Sequence, residues 1–480
     1  MRRAARGGRE GVRGTVPACT VVGMLAAMPP SPSIRPQGAE PPIRDRGDAC
    51  PGALRLHSAA DGQLARVRLP AGDLTVRQAQ ALADAADRLG DGHLSLTSRG
   101  NAELRGLPDG CGAELAALLR DAGLLPSAHH ERIRNILASP LAGLDRNSPA
   151  DVRRWARELD ELLCASERAT ALSGRFLFVL DDGRGDVAGL GGDVSLVAEA
   201  NRAGESAGSG GTALLRVGDD PAALRIAGPD APRAALAAAE AFLTAAEASG
   251  SGAWRVRELP AEQRLTARRV AAHLHETGIT STYVTQAPAP ASSPSPHSAA
   301  PGIIEGPDGT AALCVLAPLG RLTLAQWRLL TAVAADDGCG ALRLTPWRGI
   351  VLPGLPAGTA ASRLSALAAA GLITDPDSPW HRLGACTGRP GCAKSRTDVR
   401  TDAAAAVAAG TRVPDTTAVP DGLPVHWSGC ERRCGHPHGA WVDVRATGEG
   451  YRVAVVRPDT APPADDAPAP PAPPARSHTP

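Results

Sequence analysis

The sequence predicts an α+β fold made of two pseudo-symmetric halves, with the active site between them. Three observations lead there. The first is an internal repeat: with residue n set beside n+248 and no gaps from Pro70 to Pro108, 16 of 39 positions are identical, and only one of these is Ala. Pairs include Leu74-Thr75 with Leu322-Thr323, Gln78 with Gln326, Gly90 with Gly338, and Gly106-Leu107-Pro108 with Gly354-Leu355-Pro356. A period this long means duplicated domains rather than a solenoid. The second is the strand–helix–strand–strand patterning inside each copy. The third is an Ala/Pro/Ser stretch at 285–301, which cannot hold a core and separates two blocks.

Within the first copy, Ala65, Val67 and Leu69 alternate as in a half-buried strand. Leu74-Thr75 opens a helix with apolar positions at Val76, Ala79, Leu82, Ala83, Ala86 and Leu89, and Gly90 ends it. Leu94 and Leu96 share one face of the next strand, Ala102 to Leu104 return beside it, and Asp109 to Asp121 form a second helix. The expected organisation is a disordered extension at 1–48, a first unit at 49–130, a following α/β domain at 131–284, the linker at 285–301, a second unit at 302–375, a cysteine-bearing domain at 376–458, and a disordered Pro-rich tail at 459–480.

The chain has 480 residues and a net charge of +1, so no global field draws it to nucleic acid or membrane. No run of about 18 apolar residues exists to span a bilayer. Lys394 is the only lysine, so any anion site must rely on forked guanidinium groups. The first copy carries arginines that the second lacks. Arg66 and Arg68 alternate along a strand, and Arg99 and Arg105 flank the turn Gly100-Asn101, whereas the offset places Trp347 and Pro353 opposite these two. Arg132 and Arg134 follow, and Arg175 heads an apolar strand. A single arginine of this kind is usually a solvated surface group. As a set, Arg99, Arg105, Arg134 and Arg175 point to a cradle for a multiply carboxylated ligand. Asp193 reads as a turn carboxylate before a strand.

The second block carries Cys386 and Cys392 as C-x5-C and Cys430 and Cys434 as C-x3-C, 37 residues apart and set among Gly and Pro. Four thiolates in two close pairs suit a [4Fe–4S] cluster. Zinc is the first rival, although C-x5-C is wide for a knuckle. Disulfides are the second, and need an oxidising compartment. Unconnected buried thiols are the third, and describe Cys19, Cys50, Cys111, Cys164, Cys314 and Cys339. A cluster protein of this kind fits the cytoplasm.

A C-x5-C…C-x3-C set behind a duplicated α+β unit with the turn Leu96-Thr97-Ser98-Arg99 resembles the sulfite and nitrite reductase superfamily over about 49–457. The resemblance implies, in each half, a ferredoxin-like α/β unit followed by a sulfite-reductase-type α/β domain. It implies tetrapyrrole carboxylates at Arg99, Arg134 and Arg175, and a sirohaem bridged to the cluster through Cys434. The sequence departs from the reductases in two places. Leu177 stands nearest to where they carry lysines, and Cys430-Glu-Arg-Arg-Cys434-Gly-His436-Pro437 replaces their Cys-x-Asn-x-Cys-x-Arg-Pro.

Ala49-Cys-Pro-Gly-Ala-Leu-Arg55, Gly388-Arg-Pro-Gly-Cys392 and Cys434-Gly-His-Pro437 are similar to the precorrin-3B synthase family of aerobic cobalamin biosynthesis. That likeness implies a monooxygenase acting on precorrin-3A with O2 to give a γ-lactone. Its electrons would come from NADH or NADPH through a separate reductase or ferredoxin, since no dinucleotide loop is present. It also implies a further mononuclear non-haem iron. His436 and His426 are the catalytic candidates near the cluster, His438 is another, and His93 and His381 are more remote. Sirohaem belongs only to the alternative, an assimilatory sulfite or nitrite reductase.

Overall fold

The computed structural model describes residues 48, 50–146, 150–199, 211–287, 299–307, 309–414, 419–420, 422–437 and 439–457. The expected N-terminal extension (bar Asp48), most of the 285–301 linker, the 459–480 tail and His438 lie outside them. The architecture is α+β, with two five-stranded antiparallel sheets, a six-stranded mixed sheet and a four-stranded mixed sheet.

Each repeat builds one five-stranded sheet, but neither does so alone. In the first, His57–Ala59, Gly62–Val67, Ala102–Leu107 and His93–Leu96 lie in that order, and the fifth strand, Arg321–Thr323, comes from the other half. In the second, Gly302–Glu305, Thr310–Leu316, Gly349–Pro356 and Ala341–Leu344 are completed by Asp73–Thr75 from the first. The exchange obeys the 248-residue offset. Leu322 pairs with Leu94, and Leu342 pairs with Leu74. Leu74 is therefore a strand residue, not the start of the helix that the sequence led us to expect. Each exchanged strand runs straight into a helix, Val76–Arg88 or Leu324–Asp336, capped by Thr75 or Thr323 with Gln78 or Gln326 closing the capping box.

These two helices pack on each other across the pseudo-axis. The Trp327 Nε1–H donates to the carbonyl of Ala79 at 2.8 Å, and the two positions are 248 residues apart, so each helix meets its own equivalent. One continuous core runs through both units, from Leu82 and Leu104 to Trp327 and Leu352. The turn before each exchanged strand is also duplicated, with Ala71 at φ 57° and Leu319 at φ 52°. Gly72 follows with φ 71°, and a Cβ there would lie 2.0 Å from the Leu344 carbonyl oxygen, so only glycine lets the two halves approach this closely.

Behind each unit lies a mixed sheet. Ile136–Ala138, Phe178–Asp181 and Val194–Glu199 run parallel, with Thr212–Val217 antiparallel beside them. Leu383–Ala385, Val425–Ser428, Trp441–Ala446 and Tyr451–Val456 repeat the pattern. The duplication thus extends in topology beyond the stretch where sequence identity reveals it. The first sheet gains two further strands, Ala223–Ala227 and Ser281–Val284, and packs against the helices Arg153–Ala165 and Ala231–Ser249, with Phe242 of the second helix meeting Phe176. No described helix is long and apolar enough to cross a membrane.

Candidate active site

Cys386 directly follows the strand Leu383–Ala385, and Cys430 lies two residues after the neighbouring parallel strand Val425–Ser428. Both loops leave the carboxyl ends of adjacent parallel strands, where open α/β sheets form their crevices. The Cys386 N–H donates to Trp427 O at 2.9 Å, and the Cys392 N–H to Gly388 O at 2.8 Å. The Gly429 N–H donates to Cys386 Sγ at 3.2 Å. A Cβ at Gly429 would fall 1.8 Å from Ser395 Oγ, which accounts for the glycine before Cys430.

The four thiols face one another. Burial first, then Cys386, Cys430 and Cys392 in turn, push the Cys434 thiol up to about 11. Burial, with Cys430 and Cys392, also raises Cys386 against the lowering pull of the Gly429 and Gly388 N–H groups. Such mutual repulsion is relieved when thiolates bind cationic metal. One tetrahedral zinc with bonds of 2.3 Å would draw its sulfurs to about 3.8 Å apart. Among the described residues no three of these sulfurs come within 4.8 Å of one another. A donor set of four thiols wrapped in small residues fits a [4Fe–4S] cluster. No disulfide forms among the described cysteines, and Cys314 is a fully buried core thiol.

Among the described residues the histidines do not assemble a second metal site. His426 is fully buried, and its ring stays neutral because burial and then Arg348 push its pKa down to about 3. Its Nε2–H donates to Cys434 O at 3.0 Å, leaving the buried Nδ1 without a partner. His436 stacks on Trp441 at 5.2 Å, and His426 meets the same indole edge-on at 5.9 Å. His93 bonds Asp91 O, and His381 bonds Pro376 O. The one described group of three or more ligating side chains within 4.8 Å is Asp181, Asp182 and Asp186, with no histidine in it. The described residues therefore do not fit the mononuclear iron that the family likeness implied.

The arginines divide into two kinds. Arg134 is bidentate to Asp160, 2.6 Å at both bonds, and adds Leu124 O. Arg105 is bidentate to Asp61 at 2.9 Å twice and reaches Gly391 O at 2.8 Å, beside Cys392. It ties the cysteine loop to the first half. Their donors are committed within the protein, so the geometry places them as structural ties rather than as ligand-binding groups. Arg175 lies over the Trp254 ring at 5.2 Å. Arg99 bonds only the Gly174 and Arg175 carbonyls, at 3.3 and 3.0 Å, and has no carboxylate partner among the described residues.

Arg68 is 3% exposed and is held by the carbonyls of Arg132 and Pro51 at 3.2 and 3.4 Å, with Nη1 unpartnered. Burial and then Arg66 push it down to about 9. Burial, then Arg255, push Arg99 down to about 10. Arg66 pairs with Glu103 at 2.8 Å yet leaves Nε unpartnered. Arg68 and Arg99 lack a carboxylate partner among the described residues and could receive an anion, whereas Arg66 Nε and Arg68 Nη1 are themselves sealed from solvent. The strand alternation of Arg66 and Arg68 was visible in the sequence; which arginines were already neutralised was not. Arg389 bonds Ser395 O, Arg396 pairs with Glu431, and Asp193 accepts from Leu177 N and Val256 N at its turn.

The comparisons with known proteins bear on this geometry. A family model described as "Nitrite/Sulfite reductase ferredoxin-like half domain" matches residues 57–122 and again 304–370. The two matched stretches are the two repeated units, so the half-domain pattern occurs twice in this chain. It is similar to a precorrin-3B synthase of Sinorhizobium sp, with 29% identity over 412 residues, covering 85% of this chain and 83% of that protein. It is also similar to a ferredoxin–nitrite reductase of Synechococcus elongatus, with 27% identity over 78% of this chain and 74% of the relative. The solved structure of the Mycobacterium tuberculosis NirA protein shares the fold, with a TM-score of 0.63, 20% identity, and coverage of 82% of this chain and 74% of that one.

One buried loop after the strand Phe178–Asp181 yields a pH prediction. Asp181 accepts four backbone N–H groups, from Gly183, Gly185, Val187 and Ala188, and Arg184 is clamped by Asp182 and Asp145. Asp186 accepts from Ser139 Oγ at 2.6 Å but leaves Oδ2 unpartnered. Burial, then Asp181 and Asp182, raise it to about 7. Between about pH 4 and pH 7 the folded chain keeps a proton that the unfolded chain loses, so this group's contribution to stability falls as pH rises through that window. Urea midpoints of Asp186→Asn, relative to the parent, should therefore improve from pH 5 to pH 8; a difference independent of pH would refute the assignment.

Proposed function

We propose that this protein is a precorrin-3B synthase-like monooxygenase. In this reading it hydroxylates precorrin-3A with O2 and forms the γ-lactone precorrin-3B. The observation that supports the reading is the junction of two features: four thiols on the second half, tied through Arg105 and Gly391 to an arginine-rich face of the first half on which Arg68 and Arg99 have no carboxylate partner among the described residues. A reduced tetrapyrrole with many carboxylates has the charge and breadth such a cradle requires. A [4Fe–4S] cluster held by Cys386, Cys392, Cys430 and Cys434 would supply single electrons.

The protein's own groups have defined tasks. Arg68 and Arg99 would grip carboxylates, because neither pairs with a carboxylate among the described residues. Low exposure strengthens those contacts. His426, held neutral and bonded to Cys434 O, would fix the last cysteine. One O2 oxygen would enter the macrocycle and the other would leave as water, with two electrons from NADH or NADPH delivered by a separate reductase or ferredoxin.

Anaerobically prepared protein, supplied with precorrin-3A, reduced ferredoxin and 18O2, should give a product carrying one labelled oxygen. Arg68→Gln should weaken precorrin-3A binding about tenfold to a hundredfold, as expected for losing a charge-assisted hydrogen bond, while iron and sulfide content stay at parent levels. An unlabelled product would sink the oxygenase reading. The length of the match to a ferredoxin–nitrite reductase favours a second reading, a sirohaem-dependent reductase. It would be recognised by a strong Soret band in the purified protein and by consumption of nitrite or sulfite.

A further inference from the structure

We propose that Arg400 receives a carboxylate of the bound tetrapyrrole at the cluster edge of the cleft, and so couples ligand binding to the potential of the cluster. This rests on the function proposed above. Arg400 stands in the first turn of the helix Val399–Ala408. Its Nε–H donates to the carbonyl of Cys386 at 3.3 Å, and this is the one hydrogen bond of its side chain among the described residues. Its charged neighbours already have partners. Arg321 pairs with Asp91 at 2.8 Å, Arg105 holds Asp61 and Glu103, and Glu103 also holds Arg66. Among the described residues no carboxylate comes within ion-pair distance of Arg400.

The surroundings are those of a cation kept short of an anion. The charged groups that act on its guanidinium include two further arginines, Arg321 and Arg105, against one carboxylate, Glu103. Both Nη nitrogens lack protein partners, yet neither is among the sealed, unpartnered atoms, so both reach open space. Arg105, which acts on this guanidinium, also holds Gly391 of the cysteine loop, so Arg400 stands near the junction of the two halves. A guanidinium positioned this way offers two parallel N–H donors, the geometry that a carboxylate accepts. Its positive charge beside Cys386 favours the reduced form of any cluster there. A ligand carboxylate would cancel that charge.

The test uses full-length protein with its cluster and uroporphyrin, a stable octacarboxylic tetrapyrrole. Binding is followed by absorbance titration, and the cluster midpoint potential is measured with and without the porphyrin. Arg400→Gln should bind uroporphyrin about tenfold to a hundredfold more weakly, and Arg400→Lys should recover part of that loss. The parent's potential should fall on binding. In Arg400→Gln it should start lower and move less. Unchanged affinity and an unchanged potential shift in Arg400→Gln, with uroporphyrin still binding, would overturn the role given to Arg400 and leave the tetrapyrrole reading intact. Failure of the parent to bind uroporphyrin would overturn both. A purely structural arginine would lower thermal stability without altering either readout.

Discussion

Cys430→Ser is expected to yield protein with almost no iron or acid-labile sulfide, and with turnover reduced at least about a hundredfold. The reasons are local. Cys430 is 8% exposed and follows Gly429, whose missing side chain makes room for Ser395. Arg396 N donates to Gly429 O at 2.9 Å, joining the two cysteine loops at this point. A hydroxyl at this position stays protonated at neutral pH and ligates iron far more weakly than a thiolate. The exchanged sheets have their own core, so the far-ultraviolet circular dichroism should be retained. Cys314→Ser is the control: this thiol is wholly buried in the second unit, far from the cysteine loops, and its loss should leave iron content unchanged. Parent-like iron in Cys430→Ser would remove the basis of the proposed function.

The second large effect is on stability. Arg134→Ala should destabilise the fold by about 3 kcal/mol, the usual cost of breaking a buried pair from one side. Arg134 and Asp160 expose 6% and 18% of their side chains, and two 2.6 Å bonds join them. Removing the guanidinium strands the carboxylate and also leaves Leu124 O short of a donor. Asp160→Ala should cost a comparable amount, and the double variant less than the sum, because neither orphan then remains. Denaturant midpoints measure all three. Uroporphyrin affinity should change by less than about threefold. A collapse in affinity with stability intact would instead restore Arg134 to the ligand cradle.

These expectations show what the linear chain could and could not disclose. Identity at a fixed offset exposed the duplicated units because Leu74, Gln78, Gly90 and their partners serve the same backbone roles twice. It stopped short of the mixed sheets, where the strand pattern repeats but the side chains have diverged. The exchange of Asp73–Thr75 and Arg321–Thr323 was hidden because three residues before a capped helix read as part of that helix. The cysteines could be found because ligand spacing is a local property. The arginines were only half legible: a cationic side chain and its distant carboxylate, such as Arg105 with Asp61 or Arg134 with Asp160, are joined by folding alone. Arg400 gave no signal, since a charged residue in the first turn of a helix looks like a solvated one.

The traded strands carry one more consequence. Each unit on its own ends in a bare row of amide and carbonyl groups, ready to accept a neighbour. A single-copy protein with this design would have been satisfied only by embracing a twin. Joining the two copies in one polypeptide makes the embrace independent of concentration. It also frees the partners to differ, one keeping its guanidinium groups and the other its sulfurs, which a symmetric pair encoded by one gene could not do.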